Sequence, residues 1–169
     1  MQKEIADKVL LLLEQQQSLL LSTLSIQSDG LPSQPYTSYA PYFCDVEQQV
    51  FYLFLSDLSE HSHYLRTNPN ASILIIEDEA ESEKIFARVR VQYQVVGQVL
   101  DDHQEKSRII EAMKRRFGEI VDVLSSLADF RVFKLEPQNG RYIEGFGRAF
   151  TIKQGLTEEI TPVMQDKMK

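Results

Sequence analysis

Apolar residues recur at helical spacing at the start of this chain and with the strand period of two through most of the remainder. Ile5, Val9, Leu12 and Leu13 fall on one side of a helix, and no Gly or Pro interrupts residues 3–17. Two more helices are predicted for "DDHQEKSRIIEAMKRRF" and "EIVDVLSSL". In the first of them acidic residues come early and basic residues late, which suits the helix macrodipole.

Apolar segments of strand length make up the rest of the chain. "SLLLSTLSI" and "LPSQPYTSYAPYF" flank the turn signal "QSDG", and the prolines of the second segment indicate an edge strand or bulges. "QVFYLFLS" and "ASILIIED" are predicted strands, and "IFARVRVQYQVVGQVLD" is a long one with a bend or bulge at Gly97. "DFRVFKLEP" and "GRYIEGFGRAFTI" are predicted strands around a turn at Asn139 and Gly140.

The order of these segments predicts the fold class. Six or more strands, joined mostly by short turns and interrupted by helices, indicate an α+β protein with a small antiparallel β-barrel and peripheral helices. The 169 residues contain no internal repeat and no linker, so we expect a single domain over residues 1–169. Within it, residues 1–17 are expected to form an N-terminal helix and residues 154–169 a polar tail, either irregular or helical.

Net charge and cysteine content narrow the classes of partner. A formal net charge of −7 argues against general binding to nucleic acid duplexes, because neutralised phosphates dominate that affinity. Cys44 is the only cysteine, so no intramolecular disulfide forms, and a reducing compartment is the simpler interpretation. The apolar run from Val9 to Leu13 is too short for an export signal or a spanning helix, so we expect a cytoplasmic protein without membrane contact.

The basic strand carries the first candidate site. The strand period places Arg88 and Arg90 on one face with Phe86 and two glutamines, while the apolar residues between them fit a barrel interior. Two arginines about 7 Å apart on one surface form a fork suited to a phosphate or a carboxylate. The alternative is a solvated outer face on which these arginines pair with the three glutamates of residues 79–83.

The second candidate is the polar insert of "FLSDLSEHSHYLRTNPNASILIIED", which begins at residue 54. Asp57 or Ser59 is expected to cap a short helix, with Glu60 completing a capping box. Helical spacing turns His61 toward the core. Since His61 and His63 point in different directions and no Cys or third His is near in sequence, a metal site is disfavoured.

The remaining polar residues of this insert suit an anion. Ser62, His63 and Arg66 face away from the predicted core, and the helix start follows a strand that ends in Ser56. Free backbone N–H groups and the positive end of the helix dipole make such a start an anion site. The alternative is that Ser59 only caps the helix, that Arg66 only complements the dipole, and that the histidines have no functional role.

Five segments follow one another in a specific order and spacing. They are "SYAPYF", "FLSDLSEHSHYLRTNPNASILIIED", "FARVRV", "RRFGEIVDVLSSLADFRVFKLEP" and "GFGRAF". Together they resemble the split-barrel proteins related to pyridoxamine 5′-phosphate oxidase, and more narrowly the haem-utilisation branch of the HugZ/HutZ type. The resemblance runs from about Ser18 to Thr151.

The resemblance implies a six-stranded split β-barrel that forms a homodimer with two small anionic cofactors, each held between both chains. In relatives that bind FMN, the phosphate is held by residues that match Ser56, Ser62, His63 and Arg66. The basic strand that matches Arg88 and Arg90 forms the other wall of the site. The flavin ring would lie near Ser38 and Tyr39.

Two departures from the family pattern bear on function. The chain has no Trp, whereas true pyridoxamine-phosphate oxidases carry a C-terminal signature with Arg and Trp for the substrate, which argues against that activity. Haem-branch relatives ligate iron through a histidine near the C-terminus, supported by an aspartate that matches Asp129. This chain has no histidine after His103, and its tail offers only Met164 and Met168 as thioether groups.

Three hypotheses about function follow from the resemblance. The first is an FMN-binding, oxidoreductase-like protein in which the flavin supplies the redox chemistry. The alternative is a haem-binding or haem-degrading protein of the HugZ/HutZ type, in which Arg88 and Arg90 pair with the haem propionates or a distal ligand. The third is a non-catalytic cofactor-binding dimer, because a fold alone does not determine a function. The sequence names no catalytic residue.

Overall fold

A computed structural model of the chain describes residues 1–25 and 33–163. Its strands are β1 Ser18–Leu24, β2 Pro35–Asp45, β3 Val50–Ser56, β4 Asn70–Ile76, β5 Arg90–Val99, β6 Phe130–Ile143, β7 Ala149–Gln154 and β8 Glu158–Pro162. Its α-helices are α1 Gln2–Gln15, α2 Glu60–Thr67, α3 His103–Phe117 and α4 Ile120–Ser125, with short 3₁₀ helices at Glu79–Glu81 and Ile85–Ala87. The predicted hairpin turn "QSDG" lies outside the described residues.

Six of the strands form a closed antiparallel barrel. The strand order is β3-β2-β1-β4-β5-β6, and β6 closes the barrel by pairing with β3 from Phe130 to Leu135. β7 and β8 extend the sheet beyond β6. This arrangement confirms the α+β fold class and the six-stranded split barrel. It also corrects the predicted polar tail, because residues 158–162 form a strand.

The long strand β6 pairs with β3, β5 and β7. It also contains the β-bulge, which was predicted at Gly97 of β5. Gln94 pairs with Asn139 and Val95 with Pro137, so Gln138 is the extra residue opposite a regular β5. The bulge keeps side chains of both halves of β6 pointing into the barrel, Leu135 on one side of it and Tyr142 on the other.

Two glycine predictions are therefore wrong. Asn139 and Gly140 are not a turn but lie inside β6, and a Cβ on Gly140 would sit 2.6 Å from the ring of Tyr93. Gly97 is not the bulge; a Cβ there would sit 2.8 Å from the Leu135 side chain and 3.1 Å from Leu65. At both positions glycine is needed for close packing.

The barrel interior holds the main hydrophobic core. Inward-facing residues of all six strands are buried, among them Leu21, Ile73, Phe51 and Phe133. The apolar side of α1 joins this core as predicted, through Ile5, Val9, Leu12 and Leu13. Buried tyrosines satisfy their hydroxyl groups on backbone carbonyls: Tyr42 donates to Leu13 and Tyr93 to Leu156, each at 2.7 Å.

Outside the barrel, α3 and α4 cover the outer face of β3 and the first half of β6. Val50, Tyr52 and Val132 point outward there and pack with Ile109 and Met113 of α3 in a second buried cluster. The Tyr52 hydroxyl donates to the Glu105 carboxylate at 2.5 Å, and Lys134 pairs with the same carboxylate at 3.2 Å. We call this surface the covered face. In the described part of the chain, no helix is long and apolar enough to cross a membrane.

Candidate functional site

The polar insert forms α2, which packs against β1 and β5. Ser59 stands at the N-cap position, and its side chain makes no capping hydrogen bond. Because the helix begins at Glu60 and Asp57 is not its N-cap, the predicted capping box of Asp57 and Glu60 is wrong. Leu65 is buried beside Gly97, and the backbone N–H of Gly97 donates to the carbonyl of Pro69 at 2.8 Å. These contacts hold α2 at the Gly97 end of β5.

The inner side of β2 contacts α2 through a polar pair. Ser38 Oγ lies 2.9 Å from Nδ1 of His61, and the ring of Tyr36 contacts the ring of Tyr64 edge-on at 5.4 Å between centroids. Burial lowers the pKa of His61, which favours the neutral imidazole. Tyr39 follows Ser38 on the strand and points the opposite way, with 68% of its surface exposed. The side chains of Ser38 and Tyr39, which the resemblance placed near a flavin ring, thus lie on different sides of the sheet.

The other predicted residues of α2 differ sharply in exposure. Ser62 is fully buried, and its hydroxyl has no hydrogen-bond partner in the described structure, which contradicts the expectation that it faces away from the core. His63 is exposed on the surface of the helix. A ligand that approaches α2 from solvent could therefore contact His63, but not the buried side chain of Ser62.

The junction between β3 and α2 is acidic as well as basic. The Ser56 hydroxyl donates to the Asp129 carboxylate, and the Asp57 backbone N–H donates to the Asp129 carbonyl at 2.7 Å. The Asp57 carboxylate lies 3.4 Å from Arg66 and 3.3 Å from Arg131. Arg66 is therefore already paired with a carboxylate. Asp129 joins the end of β3 to the segment that precedes β6.

Arg88 and Arg90 occupy different environments. Arg88 follows the 3₁₀ helix Ile85–Ala87 and precedes β5, so the prediction that a strand already runs through residues 85–88 is wrong. Its guanidinium donates to the Glu77 carbonyl and pairs with Glu79 at 3.4 Å, as in the alternative interpretation for this arginine. Arg90 is the first residue of β5 and donates to the Arg88 carbonyl at 2.9 Å; it has no carboxylate partner among the described residues.

Arg90 belongs to an outer surface that no helix layer covers in the described part of the chain. Cross-strand pairing places Tyr39, Leu20, Leu74, Gln92 and Arg141 in one row across β2, β1, β4, β5 and β6. In the row on one side of it, Arg90 pairs with Ile76 and Ile143. The row on the other side is polar and consists of Thr37, Ser22, Ser72, Gln94 and Asn139. We call this surface the uncovered face; its members are Leu20, Ser22, Thr37, Tyr39, Ser72, Leu74, Ile76, Arg90, Gln92, Gln94, Asn139, Arg141 and Ile143.

The uncovered face combines cations with apolar area. Arg141 is exposed, has no ion-pair partner among the described residues, and lies diagonally across the strand pair from Arg90. A depression of about 440 Å³ on this face is lined by Leu20, Leu74, Gln92 and polar residues of β1, β2 and β4. Arg141 lines a second depression of about 240 Å³, which shares Gln92 with the first. Sequence reasoning missed Arg141, because the predicted turn at residues 139–140 hid its register with Gln92.

The predicted site residues do not converge within one chain. Arg90 and Gly97 are seven residues apart on β5, so Arg90 and α2 are separated by roughly 23 Å along the strand. The set divides between the α2 region (Ser38, Ser56, Ser62, His63 and Arg66), the uncovered face (Tyr39 and Arg90) and the ion pair of Arg88. A joint site for the first two groups needs a second chain and stays a prediction.

Comparison with known proteins adds to this geometry. Residues 5–144 match the family model described as pyridoxamine 5′-phosphate oxidase. The chain is 36% identical to the haem oxygenase HutZ of Vibrio cholerae serotype O1 over 131 aligned residues. The aligned region covers 77% of this chain and 73% of that protein.

The fold is shared with solved structures, among them HutZ and ChuZ. The crystal structure of HutZ, described as the haem storage protein of Vibrio cholerae, superposes with a TM-score of 0.70 at 32% identity, over 78% of this chain and 88% of that one. Campylobacter jejuni ChuZ superposes with a TM-score of 0.83 at 27% identity, over 95% of this chain and 63% of that one.

Proposed function

The chain belongs to the pyridoxamine 5′-phosphate oxidase family, and on that premise we propose that it is a homodimeric haem-binding protein of the haem-utilisation branch. The uncovered face is the site. Arg90 and Arg141 bind the propionates, and Leu20, Leu74 and Tyr39 contact the apolar part of the ring. The second chain packs over this face and completes the site.

One observation carries the proposal: two arginines without a carboxylate partner lie beside apolar side chains on the uncovered face. Five other arginines of the described structure, Arg66, Arg88, Arg108, Arg131 and Arg148, are paired with carboxylates. Arg115 and Arg116 also lack a carboxylate partner among the described residues, but they lie on α3, away from this face. A flat molecule with an apolar body and two carboxylates at one edge has the matching chemistry. Charge-assisted hydrogen bonds from arginine to carboxylate are among the strongest polar contacts in proteins.

The described residues fit the ring and the carboxylates of haem better than they fit an iron ligand of the family type. The uncovered face contains no histidine, and His61 is turned to Ser38 on the other side of β2. Met164 and Met168, the thioether groups noted in the sequence, lie outside the described residues. Haem supplies redox and oxygen chemistry when bound; this chain's part in the proposal is to bind and orient it.

Haem is favoured over FMN for two reasons. The relative with 36% identity is described as a haem oxygenase, whereas FMN is suggested only by the family as a whole. The residues expected to hold the FMN phosphate also include Ser62, whose hydroxyl is buried, and Arg66, which is paired with Asp57. Since HutZ is described both as an oxygenase and as a storage protein, haem binding is the property that both descriptions share.

The test is a visible-light titration of the purified protein with hemin, with hemin dimethyl ester and with FMN. We expect a Soret band that saturates at one hemin per chain. The dimethyl ester has the same ring but no carboxylates, so it should bind at least tenfold more weakly, because each charge-assisted contact contributes about 1.5–3 kcal/mol and 1.4 kcal/mol is tenfold.

Equal affinity for hemin and its dimethyl ester would show that the arginines do not hold the propionates. Saturable binding of FMN with no Soret band would instead favour the flavin-binding alternative. A protein that binds neither compound would contradict the proposal and favour the non-catalytic dimer without a cofactor.

A further inference from the structure

A second concave surface lies between α1, the end of β2 and α3, away from the uncovered face. It is a groove of about 500 Å³, within the range of about 300–1,000 Å³ that is common for small-molecule sites. We call it the helix groove; it is lined by Leu10, Leu13, Glu14, Phe43, Cys44, Val46, Ala112, Arg115 and Arg116.

The lining of the helix groove combines an apolar part with a polar part that contains Glu14, Arg115 and Arg116. Leu10, Leu13, Phe43, Val46 and Ala112 supply aliphatic and aromatic surface from all three elements. None of these side chains can satisfy a polar group, so the groove favours a guest with a hydrocarbon body. Solvent alone would leave this apolar surface hydrated at a cost in free energy.

The rim of the helix groove is cationic in a protein whose net charge is −7. Arg116 donates through Nη2 to the carbonyls of Gln16 at 2.5 Å and Glu14 at 3.3 Å, and its guanidinium lies 5.5 Å from the centre of the Tyr42 ring. The buried Nε–H of Arg116 has no acceptor in the described structure. A buried donor without an acceptor is costly, and an anion would relieve this cost.

Arg115 adds a second guanidinium to the same rim. It is exposed, and no carboxylate of the described residues pairs with it. Glu14 is the one acidic side chain in the lining, so the ionisable groups there sum to a single positive charge. That balance suits a guest with one negative charge.

From these features we infer that the helix groove binds a small amphipathic monoanion, an alkyl chain that ends in a carboxylate. The alkyl chain of the guest lies against Leu10, Phe43 and Val46, and its carboxylate accepts hydrogen bonds from Arg115 and Arg116. This site is separate from the proposed haem site and does not depend on it, because none of its residues belongs to the uncovered face.

Cys44 makes occupancy of the groove measurable. It is the only cysteine of the chain and it lines the groove, so a thiol reagent reports on this place alone. Burial raises the pKa of the Cys44 thiol to about 12, so the thiol is protonated near neutral pH and reacts slowly. A bound alkyl chain should slow this reaction further.

The experiment measures calorimetric binding of decanoate, decanol and acetate to the protein of residues 1–169, and the rate of Cys44 alkylation by a maleimide in the presence of each. We expect saturable binding of decanoate, at least fivefold weaker binding of decanol, and none of acetate. Saturating decanoate should slow alkylation of Cys44 at least fivefold. Decanol binding as tightly as decanoate, or alkylation unaffected by bound decanoate, would overturn the inference.

Surface variants test the same groove without disturbing the core. Arg115→Ala removes one cation, and Val46→Glu places a negative charge on a side chain that is 43% exposed. Each should weaken decanoate binding at least fivefold. Lys3→Ala, the matched loss of a charge near the other end of α1 and roughly 11 Å along the helix from Leu10, the nearest lining residue of α1, should leave it unchanged. Equal affinity in all three variants, or no saturable binding by the wild type, would contradict the site.

Discussion

The covered and uncovered faces of the barrel are built on the same sheet, and β6 contributes to both. Its outward residue Val132 lies beneath α3 in a buried apolar cluster, whereas its outward residue Arg141 is exposed. On the covered face, polar groups such as Glu105 and Lys134 pair within the chain. On the uncovered face, Arg90 and Arg141 have no such partner among the described residues.

The covered face is packed and its charges are paired within one chain, whereas the uncovered face, in the described part of the chain, lacks both a covering layer and carboxylate partners for its arginines. A sheet face that lacks a covering layer exposes apolar area to water, and such patches mark interaction sites. Here the apolar residues Leu20 and Leu74 stand next to cations, so the missing layer should be apolar with negative charge. A haem together with a second copy of the chain has that character.

The largest expected effect comes from a charge on the uncovered face. Leu20→Glu places a carboxylate at the centre of this face, on a side chain that is 42% exposed, so it should convert the proposed dimer to a monomer. The measurement is molar mass by light scattering. Leu11→Glu, on a leucine that is 52% exposed on α1, is the control and should leave the mass unchanged. A dimer that survives Leu20→Glu would place the dimer contact on another surface.

The next effect breaks the covered face. Ile109 is fully buried between α3 and the barrel, and Ile109→Ala should lower the free energy of unfolding by about 2–5 kcal/mol, because it leaves a cavity. Gln92→Ala on the uncovered face should change it by no more than about 0.5 kcal/mol. Urea unfolding at one protein concentration compares them. Similar losses for both variants would show that the two faces do not differ as described.

The caps of two helices give a smaller contrast. The Asp102 side chain accepts a hydrogen bond from the backbone N–H of Glu105 at 2.6 Å at the start of α3, so Asp102→Ala should lower the free energy of unfolding by about 1 kcal/mol. Ser59 makes no such bond at the start of α2, so Ser59→Ala should lower the free energy of unfolding by only a few tenths of a kcal/mol. Urea unfolding again measures both. An equal cost for both would mean that Ser59 caps α2 in solution.

The smallest effect is a pH dependence of the covered face. The hydrogen bond from Tyr52, together with Lys134, lowers the pKa of Glu105 below its ordinary value of 4.5. A lowered carboxylate pKa stabilises the fold above pH 4.5, and this contribution is lost as the pH falls below that value. Glu105→Gln should therefore lose less stability than the wild type between pH 5 and pH 3, by under about 1 kcal/mol. The exposed Glu136→Gln is the control, and thermal melts across this range measure all three.

Sequence periodicity predicted most of the fold because its signals are local. The apolar stripe of α1 and the alternation of residues 89–95 each determine which side of an element is buried. Gly140 misled the prediction, because an Asn-Gly pair is typical of hairpin turns, and only the neighbouring Tyr93 ring explains why glycine is required inside a strand.

The site was harder to predict because it depends on register between distant strands. Arg141 aligns with Gln92 and Leu74 only once the bulge at Gln138 is known. The burial of Ser62 and the pairing of Arg66 with Asp57 likewise depend on how α2 packs on the barrel, which helical spacing alone does not set.

The most direct test of the uncovered face is the dissociation constant for hemin of the double variant Arg90→Ala/Arg141→Ala. The matched control is Lys3→Ala/Lys106→Ala, which removes the same charge from α1 and α3. We expect the arginine variant to bind hemin at least tenfold more weakly than the wild type, with the control unchanged. Equal affinity of the arginine variant and the wild type would contradict the account.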